Sequence, residues 1–277
     1  MRVAEPMAAS WSAELDLGFE RRAGKTILAR RRHDGPLVVQ KPLYPEGEGV
    51  CHAIVVHPPG GIAGGDELGI SASVAEGAAA LLTTPGAAKW YRSTGPWARQ
   101  RVSFEVAGTL EWLPQETILY KDTLARMQAE IRLARDARYL GWEIVCLGRT
   151  GSGERFTSGE GVLATRLVRE STLLWNERGR IEGGGALLES AAGFGGRTVC
   201  GTLLAAAPEI PDEVLGRCRS LTPDSGEAAV TRLPGLLVAR YLGDSSEAAK
   251  HFFRRLWAVL RPALLGRDAT EPRIWRT

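Results

Sequence analysis

Through the first half of the chain, apolar residues come in short runs separated by turn formers. Such runs occupy residues 26–29, 37–40, 53–56, 68–73, 78–83, 101–106, 109–113, 129–133 and 139–147. Glycine, proline and aspartate close the intervals, as in Asp34-Gly35-Pro36 and Pro58-Pro59-Gly60-Gly61. Each run suits one strand, and many short strands with regular turns predict an all-β body extending to about Glu170.

Two later segments follow a helical period. In residues 211–221, Val214, Leu215 and Cys218 share one face, and Asp212 is placed to cap the short helix this predicts. From Ser245 or Ser246, the positions Ala249, Phe252, Phe253, Leu256 and Leu260 recur at helical spacing, with Lys250, Arg254 and Arg255 largely opposite. This predicts an amphipathic helix, ended or kinked near Pro262, whose phenylalanines pack on the chain itself. The Trp275 region is then left available to a partner. No internal repeat and no charged, proline-rich linker divides the sequence. Residues 1–277 are expected to form a single domain, with 1–10 frayed.

Composition narrows the class. With 44% hydrophobic and 24% charged residues the chain is globular, and no apolar run is long enough to span a bilayer. The first ten residues lack the apolar core of a secretory signal. Lysine and arginine number 35 against 32 acidic residues, too balanced for a nucleic-acid or membrane surface. The local exception, Arg30-Arg31-Arg32-His33, reads as a solvated hairpin end before Asp34-Gly35-Pro36, with a basic docking spot as the alternative. Cys51, Cys146, Cys200 and Cys218 lie too far apart for a zinc motif or a disulfide framework, so reduced thiols in the cytoplasm are expected.

Local motifs for catalysis are absent. Ala23-Gly24-Lys25-Thr26 imitates the end of a P-loop, but Phe19 stands where its upstream glycine belongs, so a hairpin is expected. Gly151-Ser152-Gly153 lacks the outer glycines of a nucleophile elbow. Cys51, His52 and His57 fall within seven positions and are chemically suited to nickel, yet adjacent strand residues point to opposite faces, which argues against a closed site. A picomolar site loaded at about 10⁸ M⁻¹s⁻¹ holds its ion for hours, so a protein handling a metal in transit must bind it weakly. The weak-contact candidates are acids and a histidine in apolar surroundings. Alternation in Trp142-Glu143-Ile144-Val145-Cys146-Leu147 puts Glu143 on the face of Val145 and Leu147, where a carboxylate is costly unless water, a cation or a partner offsets it. Glu116, Asp66, His57 and Lys89 have similar settings, with turn hydrogen bonds or a salt bridge as their plainer explanation.

Several blocks together resemble one family. They are His57-Pro58-Pro59-Gly60-Gly61 with Ala63-Gly64-Gly65-Asp66, Thr83-Thr84-Pro85-Gly86-Ala87-Ala88-Lys89, Leu113-Pro114-Gln115-Glu116-Thr117-Ile118, Gly141-Trp142-Glu143-Ile144 and the ending Pro272-Arg273-Ile274-Trp275. Spread from about Pro42 to the C-terminus, they closely resemble the urease accessory protein D family. The resemblance implies a β-rich scaffold, β-helix-like or of stacked sheets, with about two α-helices in the C-terminal part. It further implies a non-enzymatic urease maturation factor that contacts apo-urease and accessory protein F, and through F the GTPase accessory protein G. Nickel is then cargo in transit through a water-filled internal passage, with no cofactor tightly bound. Residues 30–32 and 44–49 match no motif of the family. The alternatives are an all-β enzyme using carboxylates such as Asp66, Glu116 and Glu143 on a small polar substrate, or an assembly scaffold that never touches nickel. Convergent carboxylates favour the first, a solid core the second, and a polar passage the conduit.

Overall fold

The computed structural model describes residues 10–276, so all but Ser10 of the stretch expected to fray lies outside the described residues. The strands begin with β1 (Ser12–Arg22), β2 (Lys25–Asp34), β3 (Val38–Val39), β4 (Cys51–Val56), β5 (Glu67–Val74) and β6 (Ala79–Thr83). They continue with β7 (Ala88–Trp90), β8 (Ala98–Val106), β9 (Thr109–Leu113), β10 (Thr117–Leu119), β11 (Thr123–Leu133) and β12 (Arg138–Leu147). The hairpin β13 (Gly159–Arg169) and β14 (Thr172–Glu182) precedes the one-turn α1 (Ala186–Glu189). Then come β15 (Val199–Ala206), α2 (Asp212–Arg219), β16 (Glu227–Leu233), β17 (Leu236–Gly243) and α3 (Ser246–Leu260).

The strands divide between two sheets. The first runs β14-β13-β11-β8-β5-β1-β2, and the second β16-β17-β15-β12-β9-β6-β4-β3, with β10 and β7 attached beside β12. Pairing is parallel from β1 through β5, β8 and β11 to β13. It is also parallel from β4 through β6 and β9 to β12. The chain thus lays one strand on each sheet per coil, and antiparallel pairs β1–β2, β13–β14 and β15–β17–β16 finish the ends. Both expected descriptions apply, a coil by connectivity and stacked sheets in section.

Burial explains which strands the sequence revealed. Side chains from both sheets meet in one core, including Leu15, Leu17, Phe19, Ile70, Phe104 and Ile131 from the first and Ala53, Val55, Leu82 and Val145 from the second. The second sheet is covered on its other face too, where Leu81, Leu140, Trp142, Ile144 and Leu203 pack under α2 and α3. Strands buried on both faces read as continuous apolar runs, which is the pattern of 78–83 and 139–147. Beyond Glu170, where no strand was expected, the chain forms β14 to β17. β14 and β16 are edge strands, with one buried residue each, Ile181 and Val230, so neither carries a two-residue apolar period.

The helices follow the predicted spacing. Ser245 Oγ accepts from Ala248 N at 3.1 Å and caps α3. Phe252, Phe253, Leu256 and Leu260 are fully buried against the second sheet, so the apolar face packs at home. The α-helix stops at Leu260, and residues Arg261–Leu265 add one π turn holding Pro262 before Gly266 reverses the chain at φ +66°. Asp212 does not cap α2. Pro211 takes the N-cap position, and the Asp212 carboxylate reaches Arg232 at 2.6 Å. Trp275 is not free either, since it stacks near Trp142 and Trp257 and its Nε1 donates to Thr83 Oγ1 at 2.9 Å. The arginine run is no hairpin end but the body of β2, at the edge of the first sheet.

Candidate functional site

The sequence-derived candidates are dispersed. His57 leaves β4 half-buried, its Nε2 without a hydrogen-bond partner among the described residues, and burial lowers its pKa while nearby Asp66 opposes that. Pro58 and Gly60 are exposed in the turn that follows, and Gly60 and Gly65 adopt φ of +74° and +96°, which favours glycine. Gly61 is buried under the Tyr91 ring, and Gly64 lies against Ser93 and the Pro96 carbonyl. Asp66, buried after this turn, accepts from Trp11 N and Ala63 N, both at 2.8 Å. Both of its oxygens are thus engaged by backbone. Pro85 and Gly86 form an exposed turn, and Lys89 is exposed on β7 beside the buried Trp90. Glu116 meets Lys250 of α3 at 3.0 Å. Cys51 and His52 diverge, Cys51 into the inter-sheet core and His52 toward Glu46.

Glu143 alone of these candidates faces a cavity. Between β13 and β14 on one side and β12, β15, β16 and β17 on the other lies a cavity of about 500 Å³ that is partly open to solvent, with Glu143, Glu177, Glu227, Cys200, Leu163 and Phe194 in the wall and Arg240 beside them. This space shares Glu143, Ala164, Thr165, Glu177 and Thr202 with a narrower one of about 110 Å³ between the sheets. That one in turn shares Pro114, Gln115 and Trp142 with a cleft of about 350 Å³ beside α3, lined by Lys250, His251 and Arg254. Successive strand residues alternate faces, so Glu143 turns inward with Val145 and Leu147, as its position predicts.

The electrostatics differ between Glu143 and Glu177. Glu143 has no hydrogen bond or ion pair among the described residues, and burial, reinforced by the charge of Glu177, pushes its carboxyl up to about 7. Glu177 is neutralised by Arg240 at 2.7 Å, and Arg240 also donates to Thr202 Oγ1 and lies over the Trp175 ring. Burial pushes the Cys200 thiol up to about 12, so it faces the cavity as a protonated thiol. Among the described residues no three His, Cys, Asp or Glu gather to hold a metal ion. Asp66 and Glu116 do not line the cavity, so the carboxylates of the enzymatic alternative do not converge on it.

Sequence reasoning missed Glu177, on the polar edge strand β14, and Arg240, a charged residue in the middle of the apolar strand β17. It also missed a buried charge cluster. Arg261, fully buried, donates from Nε to both Glu111 oxygens at 3.0 Å and from Nη1 and Nη2 to Glu46 at 2.7 and 2.6 Å. Trp257 Nε1 donates to Glu111 at 2.6 Å, and His52 Nε2 meets Glu46 at 2.5 Å. Burial alone would raise the Glu46 carboxyl, but the bonds from His52 and Arg261 hold it at about 2. The same argument that singled out Glu143, a carboxylate inside an apolar strand, applies to Glu111 in Leu110-Glu111-Trp112-Leu113.

A coiled two-sheet body with a partly open cavity, and in the cavity wall an acid without an ion-pair partner among the described residues, defines a β-rich protein. The family described as UreD urease accessory protein matches residues 12–276. The urease accessory protein UreD of Dechloromonas aromatica (strain RCB) is 55% identical over 97% of this chain and 95% of its own length. That of Azoarcus sp. (strain BH72) is 54% identical over 96% of this chain and 94% of its own. The chain belongs to the UreD urease accessory protein family. No helix among the described residues is long and apolar enough to cross a membrane, and the four cysteines are free thiols.

Proposed function

We propose that this protein is a non-enzymatic, cytoplasmic urease maturation factor that passes nickel toward the urease active site through its inter-sheet cavities. It docks on apo-urease and accessory protein F, and through F it meets the GTPase accessory protein G. The observation that carries the transit role is Glu143, a carboxylate without an ion-pair partner among the described residues, in a cavity that shares walls with a narrower space, which in turn shares walls with the cleft beside α3. An acid in this position attracts a divalent cation and disfavours anions. A single carboxylate, without neighbouring thiolates or imidazoles, gives the weak and short-lived binding that passage requires. His57, Asp66 and Glu116 contribute less to such a route, because they lie outside the cavity or are already bonded.

The cavities favour the conduit over a scaffold that never touches nickel, for which a solid core is the natural build. The enzymatic reading loses support because Arg240 neutralises Glu177, and the further wall acid, Glu227, is exposed at the start of β16. The deciding experiment uses Glu143→Gln, which keeps shape and hydrogen-bonding capacity while deleting the charge. The variant should co-purify with urease subunits and accessory protein F as the natural protein does. Its nickel delivery, read as urease activation and bound nickel, should fall several-fold. Full activation by the variant sinks the conduit, and failure of the natural protein to co-purify with urease sinks the partner assignment.

A further inference from the structure

The free edge of the first sheet has no role in the transit reading, and its chemistry is unusual. Strand β2 pairs on one side with β1. On its other side residues 25–28 lie beside the 44–49 loop, where Thr26 N donates to Glu48 O at 2.9 Å and Lys25 meets Glu48 at 2.7 Å. Residues 29–34 are exposed, and their outward N–H and C=O groups meet no backbone partner among the described residues. At about 3.4 Å per residue, these six positions offer an edge of roughly 20 Å, the length of an ordinary strand.

That edge carries Arg30, Arg31, Arg32 and His33 against Asp34. Arg30 is committed, binding Asp16 at 2.6 and 3.0 Å and Ser73 at 3.1 Å. Arg31, Arg32 and His33 make no ion pair or side-chain hydrogen bond among the described residues. The register sets Arg32 opposite Asp16, whose carboxylate it helps Arg30 to stabilise through charge alone, and Arg31 opposite Leu17, so the two arginines point to the two different faces of the sheet. An incoming strand would lie about 4.8 Å from β2 but twice that from the acids of β1, close to a Debye length at physiological salt. Its side chains would therefore feel the β2 cations first, on both faces.

We propose that β2 is a strand-addition site for an acidic, extended segment of a partner protein. Main-chain hydrogen bonds to residues 29–34 supply the pairing, and aspartate or glutamate side chains on both faces of the added strand meet Arg31, Arg32 and His33. Charged side chains along a sheet edge also discourage self-association, and that protective role alone makes no use of an acidic partner strand.

The test uses the full chain and a fluorescent eight-residue peptide in which pairs of adjacent glutamates alternate with single valines, so that acids lie on both faces of the extended segment, with anisotropy as the readout. A control peptide of identical sequence carries N-methyl groups on alternate residues, which removes strand hydrogen bonding and keeps the charge. The expected result is binding that falls at least tenfold with the N-methylated peptide and at least tenfold in R31E/R32E, whose circular dichroism stays unchanged. Equal binding of both peptides, undiminished binding by R31E/R32E, or no binding up to about a millimolar overturns the proposal. So does a stronger arginine-dependent affinity for anionic vesicles or an RNA oligomer than for the peptide.

Discussion

Arg261→Met keeps most of the side chain's volume and removes the guanidinium bonded to both Glu46 and Glu111, whose side chains are 10% and 2% exposed. Taking one partner out of a buried charge cluster typically costs about 3–5 kcal/mol, because the remaining charges stay desolvated. A second route gives a similar size. The Glu46 carboxyl sits at about 2 against an ordinary 4.5. At about 1.4 kcal/mol per pH unit this is worth about 3 kcal/mol, shared between His52 and Arg261. Because the folded-state value is depressed, that stability is present above pH 4.5 and fades as pH falls toward 2. For a chain of this size about 3 kcal/mol lowers Tm by roughly 10 °C. Thermal melts followed by circular dichroism should show that gap at pH 7 and a clearly smaller one at pH 3.5. A gap of equal size at both pH values would refute the charge argument and leave only lost packing. A gap under about 2 °C at pH 7 would mean that the cluster does not stabilise the fold at all.

Glu143→Gln carries the opposite sign. Its folded-state value is raised to about 7, so ionising it subtracts stability as pH climbs from 4.5 through 7, and the variant should melt above the natural protein at pH 8 and alongside it at pH 4. A lower melting temperature at pH 8 would show that the carboxylate has a stabilising partner. Phe253→Ala empties a fully buried position between α3 and Trp142, and urea denaturation should register a loss of about 3–5 kcal/mol. A loss below about 1 kcal/mol would place the ring outside the core. In equilibrium dialysis the isolated chain should bind nickel no tighter than about micromolar, and a stoichiometric nanomolar site would contradict weak transit.

What could be read from the sequence depended on burial. Residues 139–147 and 78–83 form strands covered on two faces, so their apolar runs were plain, and α3 declared itself through Phe252, Phe253 and Leu256 on one side and Arg255 on the other. After Glu170, β14 and β16 were invisible because they are edge strands, the Asn-Glu-Arg-Gly-Arg of β14 serving solvent and a cavity wall rather than a core, whereas β15 and β17 are buried apolar runs that went unread. For the site, alternation located Glu143 and its inward direction. It gave no access to Glu177, which shares the cavity with Glu143 only once the sheets are stacked, or to Arg240, which shares a cross-strand row with Thr202 and Glu143 only once β12, β15 and β17 are paired. Asp66 and Glu116 have the plainer settings that their sequence also allowed, Asp66 accepting from the backbone of a turn and Glu116 pairing with Lys250.

Arg261 bonds to residues 150 and 215 positions earlier in the chain. A ribosome adding about 5–20 residues per second emits Glu46 some tens of seconds or less before Arg261 can follow. During that interval Glu46 and Glu111 have no guanidinium, and α3, which roofs the second sheet, is not yet made. A truncated product that ends before Arg261 is left permanently in this state, with an apolar face uncovered and two acids uncompensated. The bond between the loop at 44–49 and the turn after α3 therefore forms late: the second sheet is roofed and the two acids compensated only once Arg261 has been made, and a chain interrupted earlier presents the surface that proteases and chaperones recognise.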